Sequence, residues 1–172
     1  MKNALIILTA CLMAFATASC HRAKVIDIDT QPQNTLKENM INANRYMAKS
    51  EEQQIESYVQ RRSWPVTTLG SGVRVWETDR GSGRAIDYED TVSLTYRLEA
   101  INGVVIYEQQ QETFVAGRNQ TVRGLDAAVR HLHYGSRARV ILPSEQAYGV
   151  AGDGDRVPTR AILIYDLKID NK

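Results

Sequence analysis

Residues 121–149, TVRGLDAAVRHLHYGSRARVILPSEQAYG, leave the chain little freedom. Leu125, Val129 and Leu132 recur at i, i+4 and i+7, which gives a short helix one apolar face. Gly135 can adopt the left-handed conformation that closes such a helix. The pattern then switches to alternation over 137–142. Ala138, Val140 and Leu142 face one way and Arg137 and Arg139 the other, as in a half-buried strand. Pro143 ends that strand because it has no N–H for a ladder, and Tyr148-Gly149 reads as a turn. A helix thus feeds straight into a strand, and both need other strands to pack against.

The flanking sequence supplies them. Residues 73–78, VRVWET, alternate and are broken by Gly81-Ser82-Gly83. Residues 91–100, TVSLTYRLEA, form the clearest strand. Val92, Leu94, Tyr96 and Leu98 share one face, and Ser93, Thr95, Arg97 and Glu99 the other. Asn102-Gly103 is the pair preferred in a type I′ hairpin turn, which returns the chain along 104–108. A further short strand is expected at 114–116, ended by Gly117. The last strand, 160–169, sets Ile162, Ile164 and Asp166 on one face and Leu163, Tyr165 and Leu167 on the other. Several strands, hairpin connections and one central helix indicate an α+β fold.

The phrases VRGLDAAV, GSRARVILP and QAYG, with VSLTYRLEA before them and VPTRAILIYDLKI after, resemble the FKBP-type peptidyl-prolyl isomerases, the macrolide-binding immunophilins. The resemblance covers residues 66–170. It implies an antiparallel sheet wrapped around a helix at 125–134, within a domain at 64–172.

Before that domain the chain reads differently. Residues 1–19 carry Lys2 and then an apolar run from Ala4 to Ala18, interrupted by Thr9 and Thr17. This is the pattern of a secretory signal, too short and too lightly flanked for a membrane span. It ends Thr17-Ala18-Ser19-Cys20, which looks like a bacterial lipoprotein processing site. The resemblance implies acylation of Cys20, an envelope location and a membrane anchor on the periplasmic face of the outer membrane. Secretion with Cys20 left as a free thiol is the alternative. Residues 20–34 read as a flexible tether.

A helical extension is expected at 35–63. Thr35-Leu36-Lys37-Glu38 and Ser50-Glu51-Glu52-Gln53 both fit a capping box, which suggests two successive helices ending before Trp64-Pro65. The pair either packs on the domain or lengthens the stalk. Alternatively it pairs two copies of the chain, as the N-terminal helices of some periplasmic relatives do.

The usual catalytic groups are missing. His131 and His133 are two apart on a helix and point to different faces, so they cannot share a metal. There is no G-x-S-x-G elbow, and Gly149, Gly152 and Gly154 precede no helix, so they form no dinucleotide loop. The net charge of +1 becomes zero without residues 1–19, which gives no support for nucleic-acid binding. No cofactor or metal is expected. An enzyme with neither nucleophile nor metal has to act on a conformational step, and prolyl isomerisation is one. Twisting an amide costs roughly 18–20 kcal/mol because conjugation is lost. The twisted amide is less polar than the planar one, so a dry apolar pocket favours it over the ground state.

The resemblance implies which residues make that pocket. Tyr96 corresponds to a wall tyrosine. Tyr107 and Glu108 stand where the family usually has Phe-Asp, and Phe114 matches a pocket phenylalanine. Thr121 and Val122 match two aliphatics whose backbone contacts the ligand. Leu125 replaces the tryptophan of the floor. Tyr148 matches the tyrosine whose hydroxyl donates to the ligand carbonyl. Val157 matches an aliphatic on an overhanging loop, and Tyr165 replaces an aromatic at the back.

Leu125, Glu108, Glu112 at the rim and Arg156 depart from the usual pattern, which points to weak macrolide binding and reduced activity. The expected activity is isomerisation of X-Pro bonds in exported proteins. The alternative is a non-catalytic peptide-binding module or holdase on the same fold. Combined with a lipoprotein leader, the domain also resembles the isomerase lipoproteins of gliding bacteria, although no residue here bears on motility.

Overall fold

The computed structural model describes residues 33–171. The expected signal segment, Cys20 and the expected tether up to residue 32 lie outside the described residues. The chain divides into two compact units, Met1–Asn39 and Met40–Lys172. Of the first, only the start of a helix is described.

That helix, α1 (Gln33–Arg62), runs unbroken for 30 residues. The expected pair of helices is therefore one, and it already includes Gln33 and Asn34, which were expected in the tether. The reason is local. No Gly or Pro interrupts 33–62, so nothing forces the backbone out of the helix at Ser50. Glu51 and Glu52 reach other partners instead of capping a new first turn. Ser50 keeps a long hydrogen bond from Gln54 at 3.5 Å. The helix stops through a left-handed Ser63, φ 51°. The N–H groups of Ser63 and Trp64 donate to the carbonyls of Gln60 and Val59, at 3.1 and 3.2 Å. This is a Schellman closure, completed by Trp64 packing in the same apolar cluster as Val59.

The strands are β1 (Thr67–Thr68), β2 (Arg74–Asp79), β3 (Thr91–Ala100), β4 (Val105–Val115), β5 (Arg137–Leu142) and β6 (Leu163–Ile169). They form one six-stranded antiparallel sheet in the order β1-β2-β5-β6-β3-β4. Helix α2 (Arg123–Val129) lies between β4 and β5.

Two expectations about the β3–β4 hairpin change. The turn is not type I′, which needs positive φ at both central residues. Of Asn102 and Gly103 only the glycine is left-handed, at φ 88°. The Gly103 N–H donates to Ala100 at 2.8 Å, and the Ala100 N–H donates to Val104 at 2.9 Å. This is a three-residue loop, a type I turn followed by a left-handed glycine. The return strand is also continuous, where two short pieces were expected at 104–108 and 114–116. The polar run Gln109–Gln111 hid it. β4 is an edge strand, which tolerates outward polar side chains. Register shifts opposite Tyr96–Glu99 let it follow the bend of β3.

The central helix is shorter than expected. Its α-helical part ends at Val129, and tighter bonds from His131 to Ala128 and from Leu132 to Val129 carry the chain onward. Leu125, Ala128, Val129 and Leu132 are fully buried against Val92, Leu94, Leu98, Val140, Leu142, Leu163 and Leu167. The opposite face of the sheet is covered too. Ile141, Ile162 and Ile164 pack against Ile55, Tyr58 and Val59 of α1. The alternation in β6 serves these two separate cores, as its sequence suggests.

Candidate active site

The α2 side of the sheet assembles nearly all the residues singled out above. Phe114, Leu125, Val157 and Tyr165 are 3, 0, 6 and 1% exposed within the main core. Tyr96, Tyr107, Val122 and Tyr148 pack on it half-buried. The surface that solvent reaches is therefore made by Tyr96, Tyr107, Val122 and Tyr148, with the other four beneath. Leu125 is not an exposed floor but the buried support of one.

Each wall residue is placed by its element. β3 points Tyr96 inward beside Val92, Leu94 and Leu98. Its ring meets that of Tyr165 from the adjacent β6, with centroids 5.0 Å apart and planes at 52°. Val122 is the residue before α2, in extended conformation, and its carbonyl accepts from Leu125 and Asp126. Its own N–H donates to no described group and stays available to a peptide carbonyl. Thr121 beside it is half-buried, outside the apolar cluster. Gly124 lets α2 approach the loop that carries Tyr148. A Cβ there would lie 2.6 Å from Leu142 and 2.9 Å from the Gln146 carbonyl.

Tyr148 follows a 3-10 turn, Ser144–Gln146. The Ser144 carbonyl accepts from Ala147 at 3.1 Å and from Gly149 at 2.8 Å, fixing the backbone on both sides of Tyr148. Burial raises the Tyr148 pKa, the neighbouring Tyr165 hydroxyl opposes this, and Glu112 adds to the rise.

Glu112 is half-buried, pairs with Leu94 across β3–β4, and makes no salt bridge or hydrogen bond among the described residues. Its charge, after burial, helps push the Tyr96 pKa up to about 12. Tyr165 is held well above its ordinary value by burial first, then by Tyr148, Tyr96 and Glu112. The phenols therefore stay neutral over the whole physiological range, as donors and as an uncharged wall.

The overhanging loop is stapled to this wall by groups that sequence reasoning missed. The Tyr107 hydroxyl donates to Asp153 at 2.8 Å, and the other Asp153 oxygen accepts from the backbone of Asp155 and Val157 at 2.9 and 2.8 Å. Burial disfavours the Asp153 carboxylate. The Asp155 N–H, the Tyr107 hydroxyl and the N–H groups of Val157 and Arg156 outweigh it and hold the pKa below its ordinary value. That bond to Asp153, with burial and the charges of Asp153 and Asp155, raises Tyr107 to about 12. Arg156 lies over the Tyr107 ring at 5.6 Å, so Val157 is left to face the core. The repeated Gly-Asp of 152–155 was the available signal, since aspartates in such turns bond backbone N–H groups nearby.

Glu108 is not brought into the group. Its side chain is 77% exposed and pairs with Arg97 at 3.2 Å on the other face of the strand pair. Among the described residues no cluster of His, Cys, Asp or Glu could hold a metal. His133 instead bonds Glu77 at 2.9 Å.

The family model for FKBP-type peptidyl-prolyl cis-trans isomerases matches residues 83–170. The chain belongs to this family. It is 34% identical over 104 residues to a probable FKBP-type 25 kDa peptidyl-prolyl cis-trans isomerase of Pseudomonas aeruginosa, covering 60% of this chain and 45% of that protein. To the probable FKBP-type isomerase FkpA of Neisseria meningitidis it is 30% identical over 108 residues, covering 60% and 39%. The match thus spans less than half the length of either curated relative.

Among solved structures, the isomerase from Pseudomonas syringae superposes with a TM-score of 0.61 at 23% identity, covering 73% of this chain and 92% of that one. The N-terminal domain of FKBP42 from Arabidopsis thaliana gives 0.56 at 26%, covering 62% and 90%. The FKBP-type fold accounts for the sheet order and for the helix packed on one face.

Proposed function

We propose that this FKBP-type chain is a peptidyl-prolyl isomerase that binds the proline ring against Tyr96, Tyr148 and Val122 and lowers the rotation barrier without a covalent step. The observation that carries the reading is the half-buried aromatic wall of Tyr96, Tyr107 and Tyr148, beside a Val122 N–H that pairs with no described group. The Tyr148 hydroxyl and that N–H can hold peptide carbonyls while the ring sits on an apolar surface, and the gain counts only where it is larger for the twisted amide.

Beside the wall a groove of about 390 Å³ runs past Val104, Val105, Ile106, Arg156 and Pro158. It offers an extended peptide a path on one side of the proline. The substrates are proline-containing segments of exported proteins. The Thr17-Ala18-Ser19-Cys20 leader supports that location, with Cys20 acylated and the protein held at the periplasmic face of the outer membrane.

A second reading has its own observation. Met40, Ile41 and Met47 of α1 are 60, 41 and 43% exposed. Such a stripe suits pairing of two copies through α1, or holding of unfolded segments without turnover.

The test is isomerisation of a short X-Pro peptide by the wild type and Tyr148→Phe. The wild type accelerates the exchange. Tyr148→Phe weakens peptide binding by about one hydrogen bond, roughly 0.5–1.5 kcal/mol, with little loss of stability. Suppressed aggregation without turnover favours the holding role and sinks the isomerase.

A further inference from the structure

Glu51 lies in α1, far from the aromatic wall in sequence, yet only 9% of it is exposed. Its two carboxylate oxygens accept from a single residue, the backbone N–H of Ser144 at 2.9 Å and the Ser144 hydroxyl at 2.6 Å. Ser144 itself is 1% exposed. Among the described residues Glu51 has no salt bridge, whereas its neighbour Glu52 pairs with Arg74. A buried carboxylate is costly unless its lone pairs are satisfied. Here both donors belong to the residue that begins the 3-10 turn, and charge-assisted bonds of this kind hold geometry tightly.

Ser144 is also the residue whose carbonyl accepts from both Ala147 and Gly149. Gly149 in turn accepts from the Arg160 N–H at 2.8 Å, which ties the far end of the loop. A continuous series of bonds therefore runs from Glu51 through Ser144 to the peptide groups on either side of Tyr148. Helix α1 thus meets the near end of the loop through Glu51, while its Asn44 accepts a longer, exposed bond from Arg160 at the far end, at 3.4 Å.

We propose that Glu51 is a positioning residue for Tyr148, so that α1 sets the aim of the hydroxyl that meets the peptide carbonyl. The inference rests on the isomerase reading for its effect on turnover, but not for its effect on Tyr148.

The experiment uses the whole chain. Glu51→Gln keeps the volume and loses one acceptor. Ser144→Ala removes the hydroxyl from the other side, and Ser144→Thr restores it. Glu51→Gln and Ser144→Ala each lower kcat/KM for an X-Pro peptide by about two- to tenfold, no more than deleting the Tyr148 hydroxyl does, and Ser144→Thr recovers most of it. Tyr148→Phe, which slows the wild type, has no further effect in the Glu51→Gln background, because the two residues act through one group. In spectra with labelled tyrosine rings, Glu51→Gln shifts or broadens Tyr148 while exposed Tyr88 is unmoved. Glu52→Gln leaves turnover at the wild-type level.

Full additivity of Glu51→Gln and Tyr148→Phe, or an unmoved Tyr148 resonance, overturns the proposal. An equal loss in Glu52→Gln overturns it as well, since the effect then belongs to helix docking in general. A wild type without turnover removes the isomerase reading alone, and the Tyr148 resonance then decides the positioning role.

Discussion

Tyr96 and Tyr107 show how single side chains respond to this site. Both titrate near 12 in the folded protein, Tyr96 through burial and Glu112, Tyr107 through its bond to Asp153. An unfolded tyrosine titrates near about 10. The fold thus favours the protonated phenols, so their contribution is complete below pH 10 and is lost as pH rises through about 12. The melting temperature should fall across that window. Glu112→Gln should move the phenolate absorbance of Tyr96 to lower pH by removing a nearby negative charge. An absorbance titration indistinguishable between the two proteins would place Glu112 outside the cluster.

At this scale the sequence was legible where a residue's setting is local. Tyr148 stands before a glycine turn, and Tyr96 and Tyr165 follow from strict alternation. Glu108 follows Tyr107 in the strand, so alternation turns its side chain to the other face, toward Arg97. The Gly-Asp repeat marks the turn that holds Asp153, but its bond to Tyr107, 46 residues away in sequence, exists only once the loop closes.

Elements were read correctly where one periodicity covered the whole segment, as in β3 and β5, whereas β6 begins at Leu163, later than the expected residue 160. They were misread where a local motif competed with context. Ser50-Glu51-Glu52-Gln53 has the form of a helix start, but tertiary partners for Glu51 and Glu52 left the helix intact. Asn102-Gly103 has the form of a two-residue turn, but the ladder closes on Ala100 and Val104 and makes a three-residue loop. That difference is testable. A Cβ on Gly103 would meet nothing within 4 Å, so a substitution there carries only the conformational cost of φ 88°. Gly103→Ala should destabilise by about 1–2 kcal/mol and Asn102→Ala by less, since Asn102 has ordinary φ and contributes one side-chain bond to Val104 at 3.1 Å. In a type I′ turn both would be costly. Denaturant midpoints of the two variants distinguish the turns, and an equal large loss would restore the type I′ assignment.

For the molecule as a whole, the decisive question is where the folded unit begins. The resemblance places the domain start at Trp64, and the whole sheet and α2 do lie beyond it. The apolar cluster of Ile55, Tyr58, Val59, Ile141, Ile162 and Ile164 crosses that boundary, while residues 35–49 are exposed along their whole length. Burial along α1 therefore begins near Ser50. A chain beginning at Ser50 should keep the wild-type melting transition and turnover. A chain beginning at Trp64 loses the burial of Ile55, Tyr58 and Val59 and exposes the three isoleucines. At about 1.5–3 kcal/mol for each large side chain, the loss is several kcal/mol out of a total that is typically about 5–15. It also loses Glu51, so the loop around Tyr148 should be released even in molecules that stay folded. Thermal melts and X-Pro turnover of the two fragments separate the cases. Equal stability and equal turnover in both would mean that α1 is only a stalk. A monomeric Ser50 fragment beside a dimeric full chain in sedimentation would assign the exposed first half of α1 to pairing.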